Sequence, residues 1–519
     1  MRRFCATFVA AISLLFAAVN TRAQDVLLTS RDGQIELSGT LLGFDGEFYR
    51  VETVYGELTL DSSGVLCEGP GCPNLQDYVA ELSFSGSATM GAVLLPALVE
   101  GFAQRNGYRT QRNDTDPDHF TFSLIDIRTD KTAGYFFFRL GNSDEGFADL
   151  LADEADVVMS LREVTSSEKA RATEAGIGNL ADPRRSTVLA LDAIVPIVSP
   201  ANPVREISPL QLALIYSGQI TNWRELGGED APITLHAPSQ ENGVGQAAES
   251  QILAPVGLTI SEQAIRHARG DALSQAVRRD PFALGISSFA EIGDAVALTL
   301  TGTCGRPLRA TRRTIKTEDY PLTAPMFLYT PARRLPQVAR AFLNFTTGPE
   351  AQLVIRRSGF VDQAPEEISL DVQGNRLANA IDASGDGVDL QELKRMIARL
   401  GPLKRLTTSF RFEAGSADLD TQSRANVVQL AQRLERGRYD ARELVFVGFS
   451  DGDGPADANR AIALRRAEVV RRSVVAAADG YDLSRIAIST DTFGEAMPMA
   501  CDDSAWGRLT NRRVEVWVR

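Results

Sequence analysis

Between about residue 78 and residue 365, short apolar strands alternate with amphipathic helices. One helix shows the pattern clearly, because after a short strand at Leu82–Phe84 its apolar residues recur every three or four positions. These residues are Met90, Val93, Leu94, Leu98 and Phe102. The spacing fits one face of a helix. Such alternation predicts an α/β domain whose helices cover a largely parallel sheet.

A small, hydroxylated run connects that strand to that helix. It consists of Ser85, Gly86, Ser87, Ala88 and Thr89. Ser and Thr cap helices, and the free amide groups of a first turn attract anions. Two interpretations remain open at this stage, namely an ordinary cap without a ligand and an anion site.

Charge and composition exclude several function classes. The 519 residues carry 54 Lys and Arg against 67 Asp and Glu, a net charge of −13. Nucleic acids and other polyanions are therefore poor partners. The three His are far apart in sequence and the five Cys show no paired spacing, so we predict no metal site and no cofactor.

The N-terminus has the pattern of an export signal. Residues 1–23 combine early Arg residues, an apolar run and a small residue suited to cleavage. A membrane anchor is the alternative, but the run is shorter than the ~20 residues that a spanning helix needs. No Cys follows the cleavage region directly, which disfavours a lipoprotein. Because the signal directs export, we expect the mature chain outside the cytoplasm.

Residues 25–74 alternate short β-prone runs with turn signals and predict a small β-rich module. Cys67 and Cys72 flank a Glu-Gly-Pro-Gly turn, and an oxidising compartment would favour a local disulfide between them. Cys304 and Cys501 have no evident partner, and we expect two buried thiols.

Residues 366–404 form a polar, helix-prone connector. A segment from Asp382 begins like a calcium loop, but Leu393 stands where the loop needs a bidentate Glu, so a turn is favoured. From residue 405 to residue 519, strands and helices predict two helices on one face of a mixed sheet.

Several strings in residues 78–365 resemble the type 2 periplasmic substrate-binding proteins, especially the phosphate-binding component of ABC transporters. They are SGSATM (residues 85–90), ADVVMSLR (155–162), IVPIVSPANPV (194–204) and YSGQITNW (216–223). The resemblance implies two α/β lobes joined by hinge strands, a ligand held in the cleft by helix N-termini and hydroxyls, and lobe closure on binding. It also implies an ABC transporter or an envelope complex as a partner.

The resemblance selects the ligand-binding candidates. They are Ser85, Gly86, Ser87, Ala88, Thr89, Asp156, Arg162, Asn242 and Gly243. Two departures bear on the ligand. The stretch from His236 to Val244 lacks the Arg and the hydroxyls that the family places there, and Leu161 replaces a small polar residue. We therefore expect a small anionic or polar solute, with a structural salt bridge as the alternative role of Arg162 and Asp156.

The C-terminal part resembles the OmpA-like peptidoglycan-binding domain. The matching strings are FRFEAGSADLD (residues 410–420), VFVGFSDGDG (445–454), NRAIALRRAEVV (459–470) and TNRRVEVWV (510–518). The resemblance implies that Asp451 and Arg466 hold the zwitterionic end of diaminopimelate, the aspartate taking the ammonium and the guanidinium the carboxylate. Asn459 and, by preference, Arg513 are expected in the same pocket. An interior Asp–Arg pair that fixes the loop is the alternative.

Together these features predict a non-enzymatic, periplasmic protein that binds a small solute and attaches to peptidoglycan, close to the cell wall and outer membrane. No GxSxG string or recognisable nucleophile supports a hydrolase. The competing hypothesis is a wall-bound scaffold whose middle domain has lost its ligand. The predicted architecture is a signal peptide, a β-rich module, a two-lobed domain, a helical linker and an α/β OmpA-like domain.

Overall fold

The structure is a computed structural model that describes residues 25–75, 77–385, 388–413 and 416–519. The chain forms two compact units, the first ending at Ala80 and the second running from Glu81 to Arg519. The predicted signal peptide, residues 1–23, lies outside the described residues. Within the described ranges, no helix has both the length and the apolar character that a membrane crossing requires.

The first unit is an antiparallel sheet built from residues that alternate between a buried and an exposed face. Its strands are β1 (Val26–Ser30), β2 (Glu36–Phe44), β3 (Phe48–Thr53), β4 (Gly56–Asp61) and β5 (Val65–Glu68). They pair in the order β4-β3-β2-β1-β5 around a small core of Val26, Leu28, Tyr49 and Val51. Cys67 and Cys72 are joined by a disulfide that closes the turn after β5.

The middle domain alternates strands and helices, as the periodicity predicts. Its strands are β6 (Ala80–Ser87), β7 (Tyr108–Asp114), β8 (His119–Asp126), β9 (Thr132–Gly141), β10 (Val157–Ser160), β11 (Ser186–Val198), β12 (Glu206–Ile207), β13 (Thr234–Pro238), β14 (Ile265–His267), β15 (Ala283–Ser288), β16 (Val296–Ala297), β17 (Thr299–Leu300) and β18 (Thr323–Tyr329). Its helices are α1 (Leu95–Arg105), α2 (Ser143–Leu151), α3 (Ser166–Glu174), α4 (Pro209–Tyr216), α5 (Gly243–Ala248), α6 (Gly270–Arg279), α7 (Arg312–Lys316), α8 (Gln337–Thr346) and α9 (Pro349–Arg357).

One long strand joins the two lobes of this domain. β11 pairs with β18 from Ser186 to Ala193 and then with β15 from Ile194 to Val198. The first lobe holds β6 to β10, and the second lobe holds β12 to β17. The sheet order is β14-β13-β15-β11-β18-β10-β6-β9-β8-β7. The expectation of a largely parallel sheet is wrong: β6 with β10 and β13 with β14 and β15 are parallel, but β11 runs antiparallel to both of its long partners.

The C-terminal domain is a five-stranded mixed sheet in the order β19-β20-β23-β21-β22. Its strands are β19 (Glu367–Ser369), β20 (Lys404–Phe410), β21 (Glu443–Phe449), β22 (Ala487–Gly494) and β23 (Arg513–Val518). Its helices are α10 (Gly374–Asp382), α11 (Leu390–Leu400), α12 (Thr421–Glu435), α13 (Ala456–Ala477) and α14 (Ala505–Asn511). As predicted, α12 and α13 pack on one face of the sheet.

The segment predicted as a linker belongs to this domain. β19 adds an edge strand beside β20, and Met396 and Leu400 of α11 pack with Val447 and Trp517 on the opposite face of the sheet from α12 and α13. Helices therefore cover both faces, and the predicted boundary at residue 405 does not coincide with the packing. A sheet with two apolar faces needs a cover on each, which explains why the connector is amphipathic rather than extended.

The C-terminal domain contacts both lobes of the middle domain. Trp506 Nε1 donates to the Gln251 carbonyl of the second lobe at 2.7 Å, and Thr421 N donates to Glu163 Oε1 of the first lobe at 2.9 Å. Cys304 of the second lobe forms a disulfide with Cys501. The expectation of two free buried thiols is therefore wrong, because partners separated by 197 positions in sequence carry no local signal.

Candidate functional site

The first candidate site begins where β6 ends. Gly86 has φ of +120°, and a Cβ there would lie 2.2 Å from the Met159 carbonyl oxygen, so glycine is required by the parallel neighbour β10. Ser85 Oγ donates to Asp149 Oδ2 at 2.5 Å, which places this hydroxyl in the interior of the first lobe. Ser87 is fully buried and ends β6, just before a helical turn at Met90–Leu94 that leads into α1.

A second helix entry lies opposite, on the other lobe. Asn242 caps α5, because its side chain accepts a hydrogen bond from Val244 N at 2.9 Å. A Cβ added to Gly243 would lie 3.0 Å from Ser87 Oγ and 3.2 Å from Leu161 Cδ1. The structure thus brings Ser87 and Gly243 together across the cleft, and Leu161 fills the space beside them.

Two polar atoms close to these helix entries have no partner among the described residues. Thr89 Oγ1, two residues after Ser87, and Gln246 Oε1, three residues after Gly243, are both buried without a hydrogen bond. A buried polar group without a partner costs on the order of 1–3 kcal/mol. Such atoms indicate places where a ligand could complete the hydrogen bonding.

Asp156 and Arg162 are engaged in structural contacts. Asp156 Oδ2 accepts from Ser83 N and Oγ, each at 2.8 Å, and its carboxylate pairs with Arg333 at 2.7 Å. Arg162 pairs with Glu168 at 2.7 Å and with Asp144. Burial opposes ionisation of Glu168, but the Arg162 guanidinium outweighs it and lowers the pKa of that carboxyl. The contacts match the structural alternative considered for these two residues.

Pairing of β13 with β14 brings two histidines together that are distant in sequence. His236 Nδ1 lies 2.8 Å from His267 Nε2, and burial lowers the pKa of both imidazoles. A neutral pair in which one ring donates to the other fits this geometry. Across the part of the chain that the structure describes, no group of three or more His, Cys, Asp or Glu is arranged to hold a metal ion.

The second candidate site lies in the C-terminal domain. Asp451 follows β21, and its Oδ2 accepts from Nε and a terminal nitrogen of Arg512, both at 2.6 Å. Arg466 of α13 lies with its guanidinium 5.3 Å from the centre of the Phe412 ring. Burial, followed by the charge of Arg512, lowers the pKa of Arg466, while Asp451 opposes the shift. Arg466 and Arg512 line one cavity of about 340 Å³.

The other two predicted residues take different positions. Asn459 is buried, and its amide donates to Glu495 Oε1 at 2.8 Å and to the Asp453 carbonyl at 3.0 Å, which anchors the loop after β21. Arg513 is fully buried and pairs with Glu515 at 2.7 Å. The prediction of Arg513 in the pocket is therefore wrong, and its neighbour Arg512 occupies that place. Side chains alternate along a strand, so Arg513 and Glu515 share one face of β23, whereas Arg512 precedes the strand as the C-cap of α14.

A family model described as the PBP superfamily domain matches residues 76–350, more than half of the chain. The chain belongs to the PBP superfamily. A model of the OmpA family matches residues 411–512, which include Asp451, Arg466 and Arg512. The PBP superfamily domain thus carries the first candidate site and the OmpA-family domain carries the second.

Individual relatives agree with this division. Protein SphX of Synechococcus elongatus is 26% identical over 232 residues, covering 42% of this chain and 65% of the relative. Probable lipoprotein YiaD of Escherichia coli is 30% identical over 105 residues, covering 20% of this chain and 45% of the relative. The chain therefore spans less than two thirds of the length of these relatives. A solved ABC-type phosphate transport receptor from Vibrio cholerae aligns with 54% of this chain and 99% of its own, at 21% identity and a TM-score of 0.42.

These matches support the predicted architecture of a phosphate-binding-protein-like domain followed by an OmpA-family domain. Relatives named as phosphate-binding proteins are among the matches to the first of these domains.

Proposed function

We propose that this protein attaches to the cell wall by recognising the diaminopimelate of a peptidoglycan stem peptide, and that it binds a small anionic or polar solute in the cleft of its PBP superfamily domain. In this proposal it works in the periplasm, associated with the wall and outer membrane, and presents its solute to an ABC transporter or an envelope complex. Its attachment would keep the solute-binding domain at a fixed place in the envelope.

The proposal of wall binding rests on the burial of Arg466 and on its lack of an ion-pair partner among the described residues. Its guanidinium is partly buried and lines the cavity. Burial disfavours its charge, so a ligand carboxylate would relieve an existing electrostatic cost. Arg512, held by Asp451, stands beside it. A guanidinium fork is well suited to the terminal carboxylate of diaminopimelate.

Binding to purified sacculi tests this half. The intact chain should co-sediment with the sacculi, and Arg466→Ala should lose most of that retention. Arg465→Ala is the matched control, because Arg465 is the next residue on α13 and is exposed. Asp451→Ala should also weaken binding, since Arg512 loses the carboxylate that holds it. Equal retention of the Arg466 and Arg465 variants would refute the mechanism.

The solute-binding half rests on the opposed helix entries and on the unpaired Thr89 Oγ1. With Arg162 and Asp156 engaged elsewhere, backbone amides, hydroxyls and amide side chains are the groups available at the cleft. Such a set suits a small solute with several polar atoms, and amide groups at helix N-termini add a preference for negative charge.

Thermal shift with phosphate, sulfate, molybdate and small organic acids tests this half. A ligand at a hundred times its dissociation constant stabilises by about 2.7 kcal/mol. Thr89→Val should leave the free protein at least as stable as before, because it removes a buried hydroxyl that has no partner among the described residues, but should reduce the ligand-induced shift. If no compound in the panel stabilises the intact protein, the wall-bound scaffold becomes the better account.

A further inference from the structure

The cavity beside Arg466 has walls from two domains. The OmpA-family domain contributes Arg411, Arg466 and Arg512, and the PBP superfamily domain contributes Glu318, Tyr320 and Thr323. Its volume of about 340 Å³ lies within the range of small-molecule sites. A pocket that an isolated OmpA-family domain would open to solvent is thus partly enclosed here by the neighbouring domain.

Glu318 is an unusual residue for its position. It follows the C-cap of α7 and has φ of 57°, a left-handed conformation that favours glycine or asparagine at the end of a helix. Its Oε1 is buried and has no hydrogen-bond partner among the described residues. Burial, reinforced by the nearby Asp420, raises the pKa of Glu318 to about 8. The chain therefore keeps a carboxyl group where both the backbone and the surroundings disfavour it.

The cavity wall carries charges of both signs. Arg466 and Arg512 bring guanidinium groups from α13 and from the residue before β23, while Glu318 and Asp420 bring carboxyl groups from the junction of the domains. Asp451, the acid that the family resemblance assigns to the ammonium, is already paired with Arg512 at 2.6 Å. Glu318 lines the same cavity and forms no ion pair among the described residues, although Asn426 and Arg411 lie close enough to lower its pKa in part.

We propose that Glu318 of the PBP superfamily domain is a specificity-determining residue of the wall-binding pocket and accepts the terminal ammonium of the diaminopimelate whose carboxylate Arg466 holds. This inference rests on the proposed function of the pocket. It makes the site composite, because recognition of the amine requires a residue from outside the OmpA-family domain.

Calorimetric titration of the intact mature protein with two tripeptides tests the assignment. One peptide ends in meso-diaminopimelate, and the other ends in 2-aminopimelate, which keeps the terminal carboxylate and lacks the amine. The wild type should prefer the first peptide at least about tenfold, the value of one charge-assisted hydrogen bond. Glu318→Gln should lose this preference by weakening only the first peptide. Glu350→Gln, which changes an exposed carboxylate of α9, should behave as the wild type.

The outcomes separate the inference from the proposed function. If neither peptide binds the wild type, the function itself fails. If the wild type binds and Glu318→Gln retains its preference, or weakens both peptides equally, the role assigned to Glu318 is wrong. The thermal midpoint of Glu318→Gly is a second readout that controls for misfolding. Glycine adopts the left-handed conformation without strain, so the midpoint of this variant should be at least that of the wild type. Its preference for the diaminopimelate peptide should nevertheless disappear. A lower midpoint would mark Glu318 as a structural residue and overturn the proposal.

Discussion

Asp319 of the middle domain and Arg405 of β20 form a two-pronged ion pair inside the protein. The Arg405 guanidinium donates to Asp319 Oδ2 at 2.6 Å and to Oδ1 at 2.9 Å, and both side chains are almost completely buried. Arg376, Arg513 and Glu515 complete the network, with Arg376 and Arg513 both donating to Glu515. The interface between the domains is therefore ionic at its centre, next to the cavity that Glu318 lines.

Asp319→Asn should lower the free energy of unfolding by about 3–5 kcal/mol, because removing one partner leaves the other charge buried. Chemical denaturation followed by circular dichroism measures the change. Glu350→Gln provides the comparison, since Glu350 pairs with Arg105 on the surface and such pairs contribute about 1 kcal/mol or less. Similar losses in the two variants would show that the buried pair has no special role in stability.

Acid should weaken the protein through the same network. Burial opposes ionisation of Glu515, but Arg376, Arg405 and Arg513 outweigh it and lower its pKa to about 2. The pKa of Asp319 is lowered further by Arg405 in spite of burial. These groups bind protons more readily in the unfolded chain, so their stabilisation is complete above about pH 4.5 and is lost as the pH falls towards 2.

Denaturation midpoints between pH 6 and pH 2.5 check this dependence. Asp319→Asn retains only one of the two carboxylates with a lowered pKa, so its stability should fall less steeply than that of the wild type. Parallel curves for the two proteins would contradict the assignment.

The disulfide between Cys304 and Cys501 should stabilise the second unit. It closes a loop of 197 positions, and long loops gain the most from a crosslink, with a typical effect of about 2–5 kcal/mol. The double variant Cys304→Ser and Cys501→Ser should lower the unfolding midpoint by a corresponding amount under oxidising conditions. The pair Cys67–Cys72 spans only 5 positions, and replacing it should leave that midpoint almost unchanged. Identical midpoints for the two double variants would exclude this contribution.

Gly243→Ala should destabilise the closed cleft by about 1–3 kcal/mol, because the added methyl group meets Ser87 and Leu161 at 3.0–3.2 Å. Thermal unfolding measures the effect. Leu161→Ala in the same chain should recover part of the loss, and the double-variant cycle reports the coupling. Gly374→Ala is the control, because a Cβ there has nothing within 4 Å. Additive effects of the two cleft variants would mean that residues 161 and 243 do not meet.

Much of the C-terminal domain could be predicted from its sequence. The two helices predicted on one face of a mixed sheet are α12 and α13, which pack on one side of the five strands. Periodicity and caps are properties of neighbouring residues, so they can be read along the chain. The cap of α5 by Asn242 is local in the same sense, although the approach of Gly243 to Ser87 is not.

The contact between Arg512 and Asp451 could not be predicted from the local sequence. Arg512 is the C-cap of α14 and Arg513 begins β23, but the local sequence does not say which of the two arginines meets Asp451 and which meets Glu515. The choice depends on the packing of β23 between β20 and β21. Nothing within a few residues of Arg513 specifies that packing.

The amino-acid sequence alone indicated a PBP-like α/β domain followed by an OmpA-like domain, and the residue types on which the proposed function rests. Tertiary structure decided the partners: Cys304 with Cys501, Asp319 with Arg405, and Glu318 with the cavity of another domain. The physical reason is the separation along the sequence of the residues that meet. Secondary structure and caps follow from contacts within a few residues, whereas these pairs join segments about 90 to 200 positions apart whose meeting depends on which faces the folded domains bury against each other.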